Sequence, residues 1–409
     1  MRGYINLKTG WLTAVVCAVI CLVSAAALAQ NVGGDIGGGI FRPKNPETKR
    51  SAGKTPKPVT KPSHTTTRRN PTADLETRVE DLLDKGNDAR DAKKYDEALS
   101  AYEEVLKLKP RDARAAYGLG NVYTDQRRWE DAERNYRDAS TWAPTNVDAL
   151  VALSVVLVQP QAGGNNAKRF ADAEGFARHA VQLDPKDAVA WDRLGVAMQS
   201  RALYNTETEN AYRKAIELEP QFAVAYAHLA LLLRYMNREP ESLPLYDKAV
   251  ELAKDPQTLN LIADSLQSEQ RWQKSEGVLR KALEMDPKSP TALYLMGRNL
   301  LVLKRPDEAE GYLKSAVEVS PQAFQPHALL GQSYLAMGRL DEAERTYNTA
   351  AEIASAAERK QLAGAFGFEG IGDGYLKARK KTDAARAYRR ALELDPGNPQ
   401  LTKKLSQAK

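Results

Sequence analysis

Residues 113–146 read ARAAYGLGNVYTDQRRWEDAERNYRDASTWAPTN, and this stretch decides the fold. Apolar and small residues fall at helical intervals twice, over 116–123 and again over 132–139. Between them lies Asp125-Gln126-Arg127-Arg128, polar and short enough to turn one helix back on the other. Gly120 has no side chain, so the second helix can approach the first closely. Ala132 and Ala139 keep the facing surface thin, and the rings of Tyr123 and Tyr136 fill the gaps that remain. Pro144 lacks the N–H that would continue the second helix and restrains the residue before it, so the helix ends there. A hairpin this small leaves an apolar side open to water. It is stable only when a neighbour covers that side.

The same spacing returns along nearly all of the chain beyond residue 75. The closing proline recurs at Pro110, Pro144, Pro185, Pro220, Pro287, Pro321 and Pro396, with Lys254 and Ser355 at two equivalent positions. Twelve residues before each comes Ala98, Ala132, Ala173, Thr208, Ser242, Ser275, Ala309, Ala343 or Ala384. Five residues before it stands Val105 in the first unit and alanine in the others. Twenty-four residues before it, in units without insertions, stand Gly86, Gly120, Ala230, Ala263, Gly297, Gly331 and Gly372. A step of about 34 residues with this signature resembles the tetratricopeptide repeat family. The resemblance covers roughly 79–396 as nine units. It implies an all-α chain, an alpha-alpha superhelix in which about nine helical hairpins stack as a solenoid over 74–396.

The flanks read differently. Arg2 and Lys8 precede an apolar run from Trp11 to Leu28 that closes on Ala27-Leu28-Ala29, the layout of a secretory signal cleaved before Gln30. An uncleaved membrane anchor is the competing reading of 1–29. Cys17 and Cys21 are the two cysteines and both lie in that run, so thiol chemistry has no place in the mature chain. Residues 30–73 are rich in Gly, Pro, Thr and basic side chains, nine Lys or Arg against Asp35 and Glu47. So few apolar residues predict a disordered basic linker. With the whole chain at +6, the repeats themselves are left net acidic. Residues 397–409 carry Leu401 and Leu405 among lysines, the pattern of a C-terminal capping helix.

A constellation for catalysis is missing from the repeats: H-E-x-x-H, G-x-S-x-G, a phosphate loop and a cysteine pair are all lacking. The histidines, His64, His179, His228 and His327, stand in separate segments. Gly367, Gly370, Gly372 and Gly374 do not match a dinucleotide fingerprint and follow no strand. The expectation is a non-enzyme without cofactor or metal, a protein–protein interaction scaffold exported to the periplasm or cell envelope. The alternative is a polysaccharide- or cell-wall-associated structural protein that touches its target, or anionic lipid, through the basic linker. Nucleic acid is the least expected partner of an exported chain.

In the family that this chain resembles, the first helix of each unit lines the inner groove at unit positions 2, 5, 9 and 12. Carried over, those positions give Asn87, Arg90, Arg114, Tyr117 and Asn121, then Val151, Val155 and Val158, and later Asn260, Tyr294 and Arg298. The first five predict a polar, partly basic patch with Tyr117 as an anchor. The valines predict an apolar stripe beside it, with a core role as their competing reading. Together they predict a protein or peptide partner segment that is acidic at one end and apolar at the other. Two subfamily patterns fail. The carboxylate clamp of chaperone adaptors keeps only Asn87, since Leu83, Gly118, Asp148 and Ala152 stand elsewhere in it. The asparagine ladder of glycosyltransferase solenoids meets Asp84, Gly118, Ala152 and Arg193 instead of Asn. Insertions at 159–166 and 354–364 lengthen two loops, which solenoids tolerate cheaply.

Overall fold

The computed structural model describes residues 43–48, 71–159, 161 and 165–408. The leader and most of the 30–73 linker therefore lie outside the described residues. What is described contains twenty helices and no strand. It divides into two compact units, residues 43–252 and 253–408.

The first unit holds five hairpins. They are α1 Pro71–Asp91 with α2 Tyr95–Leu108, α3 Ala113–Asp125 with α4 Trp129–Trp142, and α5 Val147–Leu157 with α6 Asn166–Leu183. Then come α7 Ala188–Ser200 with α8 Thr206–Leu218, and α9 Ala223–Tyr235 with α10 Glu239–Leu252. The second unit holds four: α11 Pro256–Ser268 with α12 Trp272–Met285, α13 Pro290–Val302 with α14 Pro306–Val319, α15 Phe324–Ala336 with α16 Leu340–Ile353, and α18 Phe368–Lys377 with α19 Lys381–Leu394. A short α17, Ala356–Gln361, fills the 354–364 insertion, where Ser355 and Glu358 close a capping box. The final helix α20, Pro399–Ala408, packs on α19 and buries Leu401. Nine hairpins of 34-residue type are thus what the repeat spacing expected. The first helix starts at Pro71, three residues before the expected boundary at 74.

Local chemistry explains the ends. First helices open on polar caps: Asp112, Asn146, Asp187, Asp255 and Ser289 each accept hydrogen bonds from main-chain N–H groups of the first turn. Second helices close before proline. There Lys109, Ala143, Asp184 and Asp286 adopt φ near −135° and positive ψ, out of the α region. Within the hairpins, the turn places one residue in the left-handed region. These are Lys93, Arg127, Ala202, Asn237, Gln270, Lys304, Gly338 and Arg379, with φ between 57° and 73°. A glycine occupies one of those eight positions.

Packing is carried by small residues facing rings. A Cβ added at Gly120 would lie 2.5 Å from the Tyr136 ring, and one at Gly86 would lie 2.6 Å from Tyr102. Gly118 meets the same Tyr102 ring at 2.6 Å, so that ring sits in a slot between α1 and α3. Around it Val79, Leu83, Ala98, Val105, Ala115 and Leu119 form one core cluster. A second cluster joins α5 to α8 through Leu150, Val151, Ala177, Ala180, Leu194, Met198 and Ala211.

Salt bridges on the second helices pin successive hairpins. Glu174 binds Arg178 in its own helix and Arg201 of the next hairpin; Glu209 does the same with Arg213 and Arg238. In the second unit Glu276 takes Arg280 and Arg305, and Glu310 takes Lys314 and Arg339. Burial opposes the charged form of Glu174, Glu209 and Glu276, yet their two cationic partners hold all three carboxyls below the usual range.

Candidate functional site

The site is built on the first helices of the first three hairpins, α1, α3 and α5. Asn87 lies at unit position 9 of α1, and Asn121 is its equivalent one repeat later in α3. Each amide is held from behind. The Tyr102 hydroxyl donates to Asn87 Oδ1 at 2.8 Å, and the Tyr136 hydroxyl donates to Asn121 Oδ1 at 2.9 Å. Burial pushes both phenols well above their ordinary range, so they remain protonated donors. With its oxygen engaged, each amide must point its NH2 group outward. The slots at Gly86 and Gly120 let the rings come close enough to do this.

Those outward amides meet the chain itself. Residues Pro43–Thr48 lie across this face, and the main chain is what is gripped. Asn121 Nδ2 donates to the Lys44 carbonyl at 2.8 Å, and Asn87 Nδ2 donates to the Pro46 carbonyl at 3.0 Å. Arg90, buried at 1% exposure, donates through Nη1 to the Pro43 carbonyl at 2.8 Å and to Asn45 Oδ1 at 2.9 Å. Its Nε and Nη2 are committed to both oxygens of Asp125, at 2.7 and 3.0 Å. Asn45 is read from both sides, because its Nδ2 donates to Asp91 Oδ2 at 2.9 Å. Thr48 Oγ1 donates to Asp84 Oδ1 at 2.6 Å, and Lys44 Nζ stands 4.0 Å from Asp148. Burial raises the Asp148 carboxyl, with Lys44 opposing the shift. Pro43, Pro46 and Thr48 are buried, while Lys44 and Glu47 face outward.

Several expectations change here. Residues 43–48, expected within a disordered linker, are placed with six to eight polar contacts to α1, α3 and α5, because the repeat offers donors at carbonyl spacing. The expected basic patch is not one. Arg90 is neutralised by Asp125, and Arg114 is bound by Glu80 at 2.9 Å and Asp112 at 3.2 Å. The carboxylates Asp84, Asp91 and Asp148 are what face the segment, so the acidic partner end expected from the arginines does not fit. Tyr117 is not an anchor: it is 3% exposed, and its ring packs against Tyr136 with centroids 5.8 Å apart. Val151, Val155 and Val158 are buried in a helix that is apolar on nearly every side, and Val151 belongs to the α5–α8 core cluster.

Asn260, Tyr294 and Arg298 belong to the second compact unit. Arg298 donates to Gln267 Oε1 at 2.6 Å, pairs with Asp264 and stacks 5.6 Å from the Tyr294 ring centre. Asn260 Nδ2 reaches Ser289 Oγ at 3.3 Å. Arg298 is thus engaged by Gln267, Asp264 and Tyr294, and Asn260 hydrogen-bonds outside that group. Elsewhere His228 is buried against Asp192 at 2.8 Å, and His327 binds the Pro321 carbonyl at 3.0 Å. Among the described residues, no group of three His, Cys, Asp or Glu could hold a metal, and no helix is long and apolar enough to cross a membrane.

Sequence reasoning found Asn87, Arg90 and Asn121 but missed what orients them and what they hold. The signal was present as Asn at position 9 followed fifteen residues later by Tyr, twice in succession. Asp125 reads only as part of the turn, Asp84 and Asp148 only as mismatches to subfamily patterns, and Asp91 is not singled out.

Comparison with known proteins gives one answer. Family models described as tetratricopeptide repeat match residues 83–146 and 370–408, 266–332 and 303–365, and 222–255. Among solved structures, yeast Tom70 is 17% identical over 93% of this chain and 72% of its own, with a TM-score of 0.55. The protein TTC0263 of Thermus thermophilus is 24% identical over 46% of this chain and 98% of its own, with a TM-score of 0.40. MamA is 23% identical over 43% and 91%, with a TM-score of 0.37. No curated protein matches the chain. Repeat spacing, hairpin architecture and family models agree, and the chain is a member of the tetratricopeptide repeat family.

Proposed function

We propose that this chain is a non-catalytic protein-interaction scaffold of the cell envelope, and that α1 and α3 hold an extended partner segment by its main chain, with α5 beside them. The observation that carries the reading is the pair of asparagine amides, one repeat apart, each locked by a tyrosine hydroxyl. Carbonyls two residues apart on an extended chain are separated by roughly 6.6 Å, and the two amides meet the carbonyls of residues 44 and 46. Hydrogen bonds to main-chain atoms grip any extended segment, while the flanking Arg90 and carboxylates select among side chains. Envelope location rests on the leader read in 1–29; an exported mass beginning at Gln30 supports it, and one retaining Met1 makes the leader an anchor.

The reading is tested by selecting displayed random peptides on the full chain and on Asn87→Ala/Asn121→Ala. Enrichment of a sequence family that the double variant no longer retains supports it. Equal enrichment on both chains places the binding surface elsewhere.

A further inference from the structure

We infer that Pro43–Thr48 is a resident, tethered occupant of this face, and that an incoming partner is a proline-containing extended segment with neutral polar or cationic side chains, not carboxylates, opposite Asp84, Asp91 and Asp148, which must displace it. The inference rests on the reading of α1, α3 and α5 as a segment-binding face, and adds what the face selects and how access to it is controlled.

Three observations converge. First, the contacts are those of a ligand and not of a casual packing neighbour. Four main-chain carbonyls in five successive residues point at the helices: those of Pro43, Lys44 and Pro46 accept at 2.8–3.0 Å, and that of Glu47 lies 3.5 Å from Arg114 Nη1. Second, the side chains that are read are specific. Asn45 accepts from Arg90 and donates to Asp91, a pairing that a carboxylate or an ammonium at that position could not reproduce on both sides. Pro43 and Pro46 are buried, and a proline has no N–H to leave unsatisfied against a face that presents donors. Third, the charge is complementary. The cations of the face are matched by Asp125, Glu80 and Asp112, and the carboxylates of Asp84, Asp91 and Asp148 stand against Thr48, Asn45 and Lys44 of the segment. An acidic segment would meet like charge at each of these three points.

The segment belongs to the same chain as α1, so it competes as an intramolecular ligand, and even a weak internal ligand then competes measurably with one in solution. The apparent affinity of a free segment is then reduced by the fraction of molecules whose face is open.

The test uses the full chain and a fluorescein-labelled peptide of residues 39–50, followed by anisotropy. Lys44→Glu/Thr48→Asp in the protein sets like charge against Asp148 and Asp84 and releases the tethered copy without touching the helices. The peptide should bind this variant about tenfold more tightly than the parent. Adding Asn121→Asp, which keeps an acceptor for Tyr136 but loses the donor for the carbonyl, should remove the gain, with a helical circular dichroism spectrum and a cooperative melt as the folding control. A peptide carrying Lys44→Glu should bind at least about fivefold more weakly. Equal affinity for parent and released chains, or binding to neither, overturns the resident-occupant inference while the peptide selection still decides the broader reading. Equal affinity of the Lys44→Glu peptide overturns the charge preference. Binding indifferent to Asn121→Asp overturns both this inference and the assignment of the face.

Discussion

Gly120→Ala sets two known effects against each other. In an exposed helix interior, alanine is favoured over glycine by about 1 kcal/mol, because glycine loses more backbone entropy on folding. At Gly120 the new Cβ would lie 2.5 Å from Tyr136 Cε1, 2.6 Å from Cδ1 and 3.0 Å from Cζ. Ordinary contact begins near 3.4 Å, so the ring must retreat by roughly 1 Å. It has little freedom to do so, being fully buried and fixed by its hydroxyl to Asn121. Overpacking of that kind costs about 1–3 kcal/mol. Losing the hydroxyl contact would leave the Asn121 oxygen unsatisfied in a buried site, adding about 1 kcal/mol or more. The expected net effect is a loss of about 1–3 kcal/mol. Gly175 and Gly311 are the controls, since a Cβ there meets nothing within 4 Å and both are exposed on second helices. Alanine at either should stabilise the chain by up to about 1 kcal/mol. Chemical denaturation followed by circular dichroism compares the three. A Gly120→Ala chain as stable as the Gly311→Ala chain would refute the ring-in-slot account of hairpin packing.

Arg90→Ala should lower stability by about 2–4 kcal/mol in the same assay, because it strips Asp125 of a bidentate partner in a largely dry site. Val151→Ala should cost about 1–3 kcal/mol, and an unchanged melting curve would return that valine to the partner-facing surface. Acid should loosen the stack in a defined direction. The carboxyls of Glu174, Glu209, Glu276 and Glu310 are held below their ordinary value of 4.5, so the stability they contribute is complete above that value and is lost as pH falls through the lowered ones. Melting temperature should stay flat from neutrality to about pH 5 and then drop. Glu276→Gln/Glu310→Gln should shorten that drop, and an identical acid profile would show that the pins contribute nothing.

The repeat was legible because each of its signals has a steric cause. Gly86 and Gly120 open slots for rings, alanines thin the facing surfaces, and Pro144 stops a helix, so the order of residue types predicts the hairpin. The site was legible only in part. Unit position alone located Asn87, Arg90 and Asn121 on the face of the first helices. It could not show that Asp125 and Glu80 neutralise the arginines, since those pairs form between helices some 35 residues apart in the chain. Nor could composition foresee that six residues of a Pro- and Lys-rich linker would be seated. Their ordering depends on donors presented by two hairpins and a carboxylate from a third, a property of the assembled face and of no local window. The valines of α5 misled for a related reason: a helix apolar all round offers no periodicity to separate a groove face from a core face.

The pins between second helices bear on how such an array can change length. Glu209 to Arg238, Glu276 to Arg305 and Glu310 to Arg339 are all separated by 29 positions. Removing residues 277–310, one whole period, would bring Arg339 to the place that Arg305 now holds relative to Glu276, with Lys314 standing where Arg280 stood. The joint is regenerated by the cut. A gene encoding this chain can therefore gain or lose a unit by unequal crossing-over anywhere within the period and still specify the same electrostatic junction. Repeat number is thereby free to drift, while the seated segment and its three hairpins stay untouched.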